Sequence, residues 1–197
     1  MFKKTILIST VVALITVTAS ARGHHGNNNQ NINRGYNTNS ASYINISSIP
    51  LSELTDTQKD SLTFMIEEEK VARDIYSYLY DLWGSRVFGN ISNSEQTHID
   101  AIKALLDKYS LNIPSTLDKR GEFENGELQD LYNTLIEKGS LSLVDALEVG
   151  VLVEETDISD LEEILNTGVP SDFEITYKNL LNGSYNHLNA FNRQLGR

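Results

Sequence analysis

Cysteine is absent from the 197 residues. That excludes a disulfide framework, thiolate metal ligands and a lipid-modified N-terminal cysteine. No run is long and apolar enough to span a bilayer. The best candidate, "TILISTVVALITV" at residues 5–17, has 13 residues, where a span needs about 20. There is no Gly-rich phosphate loop and no Ser/His/Asp arrangement in a recognisable context. Lys/Arg clusters are missing after the first few residues, and 27 Asp and Glu against 16 Lys and Arg leave a net charge of −11. So acidic a surface argues against nucleic acid and anionic membrane as partners, and is permissive for cations.

What is present begins with an export signal. "MFKK" is a basic start, residues 5–17 form the apolar region, and "ASA", Ala19 to Ala21, is a small-residue cleavage site. Cleavage after Ala21 is expected, giving an exported, periplasmic or extracellular chain with no membrane contact in its mature form; an uncleaved N-terminal anchor is the alternative. Losing Lys3 and Lys4, the charged residues of the signal, takes the net charge from −11 to −13. Residues 22–48 are rich in Asn, Gly and Ser without periodic apolar positions, the composition of a disordered linker. His24 and His25 read there as polar linker residues.

The folded domain is expected over residues 49–197, and its periodicity is helical throughout. Helices are expected over residues 57–83, stopped by Gly84, and over residues 92–109. A short helix is expected over residues 127–138, closed by Gly139. Two more are expected over residues 142–165 and from Pro170 to about Leu195, the last capped by Ser171 or Asp172. The fold class is therefore all-α: an antiparallel four-helix bundle with a long crossover carrying a short extra helix.

The four long patterns repeat in pairs. "MIEEEKVARDIYSYL" resembles "VLVEETDISDLEEIL", aligning Glu68 and Glu69 with Glu154 and Glu155; "SEQTHIDAI" resembles "GSYNHLNAF", aligning His98 with His187. At 100° per residue, Glu69 falls within the apolar stripe of Leu62, Met65, Ile66, Ala72 and Tyr76. Glu67, Lys70, Asp74, Ser77 and Asp81 fall opposite. Glu155 groups with Val144, Val151, Leu152 and Ile158, while Glu154 sits at the stripe's edge beside Leu147 and Leu161. Glu95 and His98 share a face with Ile91, Ile102 and Leu105, and His187 shares one with Leu180, Ser184 and Phe191. Carboxylates are almost never fully buried unless paired, so their convergence asks for a partner. Ser92-x-x-Glu95 also reads as a capping box, which would place Glu95 in a first turn.

Glu on two helices with Glu-x-x-His on the others is a metal-binding pattern, and here the chain resembles the ferritin-like superfamily. Glu69 with "KVARDIY" looks like the first ligand helix of rubrerythrin-type proteins, and Glu95-Gln96-Thr97-His98 looks like the second. Over residues 51–195 the chain is similar to a bacterial family of ferritin-like domains of unknown function. The resemblance implies a metal site of Glu69, Glu95, His98, Glu155 and His187. In it Glu69 and Glu155 bridge or chelate, Glu95 and His98 hold one ion, and His187 holds the other. The chain departs from the pattern at Ser184, where a second Glu-x-x-His would begin; Glu154 or Glu68 is available to complete the site. Carboxylate with imidazole suits iron or manganese, and zinc fits as well. The competing reading is a metal-free bundle that binds a partner in the cell envelope, with the same five residues forming a hydrogen-bonded polar core.

Overall fold

The computed structural model describes residues 46–197. The expected signal segment and the linker up to residue 45 lie outside the described residues. The linker's last residues, Ile46–Ser48, form a single 3-10 turn. Five α-helices follow: α1 Asp56–Trp83, α2 Arg86–Lys108, α3 Gly126–Gly139, α4 Leu143–Asn166 and α5 Ser171–Gln194. No strand occurs among the described residues, and no helix among them is long and apolar enough to cross a membrane.

Capping chemistry sets the first helix. Thr55 and Gln58 form a reciprocal capping box at the start of α1. Gly84 ends it in the left-handed conformation at φ 64°, its N–H donating to Tyr80 O at 2.8 Å. Only residues 84–85 separate α1 from α2, so the two run antiparallel as neighbours. Residues 167–170 join α4 to α5 in the same way. α1 packs along α2 and α4 along α5; α2 also meets α5, α1 meets α4, and α3 bridges α1 and α4.

Two sequence expectations about helix starts need correction. α2 begins at Arg86, not near Ser92, so Ser92 is no cap. Its hydroxyl lies 2.7 Å from that of Ser77, bridging α1 and α2. Neither Ser171 nor Asp172 caps α5, whose cap residue is Pro170. Asp172 is instead fully buried, 2.5 Å from Lys108 Nζ and 2.9 Å from the Tyr109 hydroxyl.

The apolar interior contains Leu62, Met65, Ile66 and Ile75 of α1, Phe88, Ile99, Ile102 and Leu105 of α2, and Phe173, Tyr177 and Phe191 of α5. Burying each such side chain stabilises by about 1.5–3 kcal/mol. Gly150 lets α4 approach α5 closely, because a Cβ there would meet Phe191 Cε1 at 2.6 Å.

Glu67, Lys70 and Asp74 of the supposedly outward face of α1 are buried as well, while Asp81 near its end stays exposed. The crossover folds over it, and Glu67 accepts from Glu124 N at 2.7 Å and Asn125 N at 3.0 Å. Lys70 donates to Asp74 at 2.6 Å and to Lys119 O at 2.8 Å, and sits 4.0 Å from the centroid of the Phe123 ring. These are charges that periodicity assigns to solvent. Their burial is tolerated because each is paired or hydrogen-bonded by the segment that covers it.

Candidate metal centre

α1 carries Glu69, α2 carries Glu95 and His98, α4 carries Glu154 and α5 carries His187. All five are at least nine-tenths buried. Glu95 stands in the third turn of α2 because that helix starts at Arg86. The capping-box reading of Glu95 fails for the same reason.

The five side chains form two overlapping groups. Glu69, Glu95 and His98 offer ligand-type atoms within 4.8 Å of one another, and so do Glu95, Glu154 and His187. Glu95 joins them. Its Oε2 lies 2.8 Å from His98 Nδ1 and its Oε1 lies 2.9 Å from His187 Nδ1. Glu69 Oε2 is 3.1 Å from His98 Nδ1, and Glu154 Oε2 is 3.5 Å from His187 Nδ1. The two imidazoles are stacked with centroids 5.5 Å apart.

Distance and alignment disagree here in an informative way. Glu95 Oε1 and His187 Nδ1 are within reach of each other, yet neither makes a hydrogen bond of acceptable geometry, and Glu69 Oε1 also lacks a partner. Leaving a buried polar atom unsatisfied costs about 1–3 kcal/mol. Donor atoms that crowd together without pointing at each other suit a third body between them. Beside the carboxylates, on the side away from the imidazoles, a cavity of about 20 Å³ is lined by Glu68, Glu69, Glu95, Glu154 and Asp157 and by apolar residues of α1, α3 and α4, room for a body of about the size of a water molecule.

The outer contacts hold these groups in place. Tyr76 donates to Glu154 Oε1 at 2.6 Å, leaving Oε2 for His187. Ser94 Oγ lies 2.9 Å from His187 Nε2, so Nδ1 is the nitrogen facing the carboxylates. Gly183 makes room for His98, since a Cβ there would meet His98 Nε2 at 2.5 Å.

Burial and charge set the protonation. Burial pushes the Glu69 carboxyl up to about 7 against the pull of His98, and pushes Glu154 up to about 8, reinforced by the Glu95 charge. Burial works against an ionised Glu95 too, but the close His187 and His98 imidazoles outweigh it and hold that carboxyl at about 2. For the imidazoles, burial opposes the charged form. The Glu69 and Glu95 carboxylates overcome it and raise His98 to about 11, and Glu154 and Glu95 raise His187 to about 10.

Of the residues expected from sequence, Glu69, Glu95, His98 and His187 come together and Glu155 does not. Glu155 is exposed on α4, and the adjacent Glu154 points inward in its place. The reason lies in the neighbours of α4. Leu147 and Leu161, beside Glu154, are buried, whereas Val144, assigned to the Glu155 face, is 58% exposed. Packing by α1, α3 and α5 together spreads apolar residues around much of α4, so its wheel alone could not separate two adjacent glutamates. The better repeat therefore aligns Glu69 with Glu154.

Asp157 was missed, while Glu68 was read only as available to complete the site. Asp157 is buried with its Oδ2 2.5 Å from Ser184 Oγ and its Oδ1 unpartnered. Glu68 is also buried, on the same side as Asp157 and Asp160, and desolvation followed by those two charges raises its carboxyl well above the usual range. Spacing offered a signal for Asp157, one turn from Glu154.

The chain is 47% identical over 150 residues to the uncharacterized protein MJ0754 of Methanocaldococcus jannaschii, covering 76% of this chain and 81% of that protein. The crystal structure of that hypothetical protein is similar, with a TM-score of 0.74 and 46% identity over 76% of this chain and 85% of the other. Residues 58–197, which include every residue of the centre, match a family described as an uncharacterized protein domain, DUF2202, and the chain belongs to that family.

Proposed function

We propose that the protein is a ferritin-like four-helix bundle that holds two iron or manganese ions between its helices and is exported to do so. Glu69, Glu95 and His98 would hold one ion and Glu95, Glu154 and His187 the other, with Glu95 common to both. The observation that carries this reading is the set of crowded, misaligned donors at Glu95 Oε1, His187 Nδ1 and Glu69 Oε1. A self-sufficient polar core would aim these atoms at one another. Carboxylate with imidazole suits iron and manganese, and zinc is compatible. When bound, such ions supply Lewis acidity and one-electron chemistry toward dioxygen or peroxide. The chain's own residues do the rest. Tyr76 fixes Glu154, Ser94 fixes the His187 ring, and the apolar core around them limits water.

The metal-free alternative draws on the ion pairs His98 has with Glu69 and Glu95. Elemental analysis of protein produced with iron or manganese present separates the two readings. About two equivalents in the wild type and a strong reduction in His98→Ala support the proposal. No metal above background in either leaves the polar core as the function of these residues.

A further inference from the structure

In the internal repeat, Glu95 of α2 corresponds to Ser184 of α5, so one half of the repeat lacks a carboxylate. The count of charge points the same way. Two divalent ions carry four positive charges, and Glu69, Glu95 and Glu154 supply three negative ones. A buried centre with a residual charge is costly in a low-dielectric interior.

Asp157 stands where that deficit can be met. It is buried, its Oδ2 lies 2.5 Å from the Ser184 hydroxyl, and its Oδ1 has no partner. It lines the same small cavity as Glu69, Glu95 and Glu154, and the charges of Glu69, Glu95 and His98 act on it. Glu68 shares the cavity and also has an unpartnered oxygen, but it stands beside Asp160, another carboxyl group, whereas Asp157 has a hydroxyl to orient it. An unpartnered, enclosed carboxylate in a cavity shared with Glu69, Glu95 and Glu154 has no structural role that a neutral side chain would not fill better.

We infer that Asp157 is a further metal-binding carboxylate of this centre, carried by α4 and oriented by the Ser184 hydroxyl in place of the glutamate missing at position 184. The inference rests on the metal-binding reading proposed above. Ser184 is then a positioning residue whose hydroxyl donates to Oδ2 and leaves Oδ1 for the ion.

The test is a manganese(II) titration of the protein, followed by calorimetry and by the spin-resonance signal of free ion, for the wild type, Asp157→Asn and Asp157→Asn/Ser184→Glu. Circular dichroism checks the fold of each. Asparagine keeps the shape and the Ser184 contact but removes the charge. Binding of the second ion should weaken about tenfold or more in Asp157→Asn, and the double variant, which returns a carboxylate from α5, should recover most of it. Two ions bound by Asp157→Asn with wild-type affinity would overturn the inference while leaving the two-ion centre intact. Weakened binding that the glutamate fails to rescue in a folded double variant would also overturn it, leaving Asp157 a packing residue. A wild type that binds no manganese overturns both readings together.

Discussion

A single step of register separates the residue at the centre from its exposed neighbour on α4. Glu154 is 2% exposed and hydrogen-bonded to Tyr76, while Glu155 faces solvent. Glu154→Gln is expected to lower metal affinity about tenfold or more. Glu155→Gln should leave metal content unchanged and shift stability by no more than about 0.5 kcal/mol, the usual range for a surface site. Metal titration and thermal melting of the pair check this, and equal losses in both variants would contradict the assignment.

The protonation of the same residues gives a pH prediction. In metal-free protein, Glu69 at about 7 and Glu154 at about 8 lie above their unfolded value of 4.5. His98 at about 11 and His187 at about 10 lie above 6.5. Raised groups contribute stability that is complete below the unfolded value and is lost as pH rises through the folded one. Glu95, held at about 2, contributes stability that is present above 4.5 and lost as pH falls toward 2. Melting temperature of chelated protein should therefore fall from about pH 5 to pH 8 and fall further toward pH 11. Metal requires deprotonated ligands, so the stabilisation given by added manganese should grow over the same interval. A chelated protein whose melting temperature rises from pH 5 to pH 8 would count against these assignments.

At the scale of the element, the position of a helix start decided what Glu95 is. A capping-box motif at Ser92 was visible in the sequence, but the Ser85 start of α2 rests on the two-residue link to α1 and carries no side-chain cap. Local motifs report what a segment can do, and the packing of α1 on α2 determined which option was taken. The contact between α2 and α5 is similarly invisible to periodicity. Gly183 lies inside α5, where alanine would ordinarily stabilise by about 0.5–1 kcal/mol. Its Cβ would meet His98 Nε2 at 2.5 Å, so Gly183→Ala should instead displace the imidazole. The expected result is a helical protein with metal affinity reduced about tenfold or more. Unchanged affinity, measured by titration, would show that His98 has room to shift.

At the scale of the whole molecule, an acidic chain buries carboxylates from α1, α2 and α4 against imidazoles from α2 and α5. Exported as proposed, the mature chain lacks Lys3 and Lys4 and is more acidic still. N-terminal sequencing of protein recovered from the native host should give Arg22 as the first residue; a start at Met1 would refute cleavage.

The helical class, the pairing of α1–α2 with α4–α5 and the inward Glu69, Glu95, His98 and His187 were legible in the sequence. Each depends on spacing along one helix, and 3.6-residue periodicity is a local property. The choice of Glu154 over Glu155, the burial of Lys70 and Asp74 beneath the crossover, and the meeting of Asp157 with Ser184 were decided only by tertiary structure. Each depends on a segment distant in the chain: α3 and α5 around α4, residues 119–125 over α1, and α5 against α4. A helical wheel shows which side of a helix is apolar, but only the neighbours that pack against it determine how much of its circumference is covered.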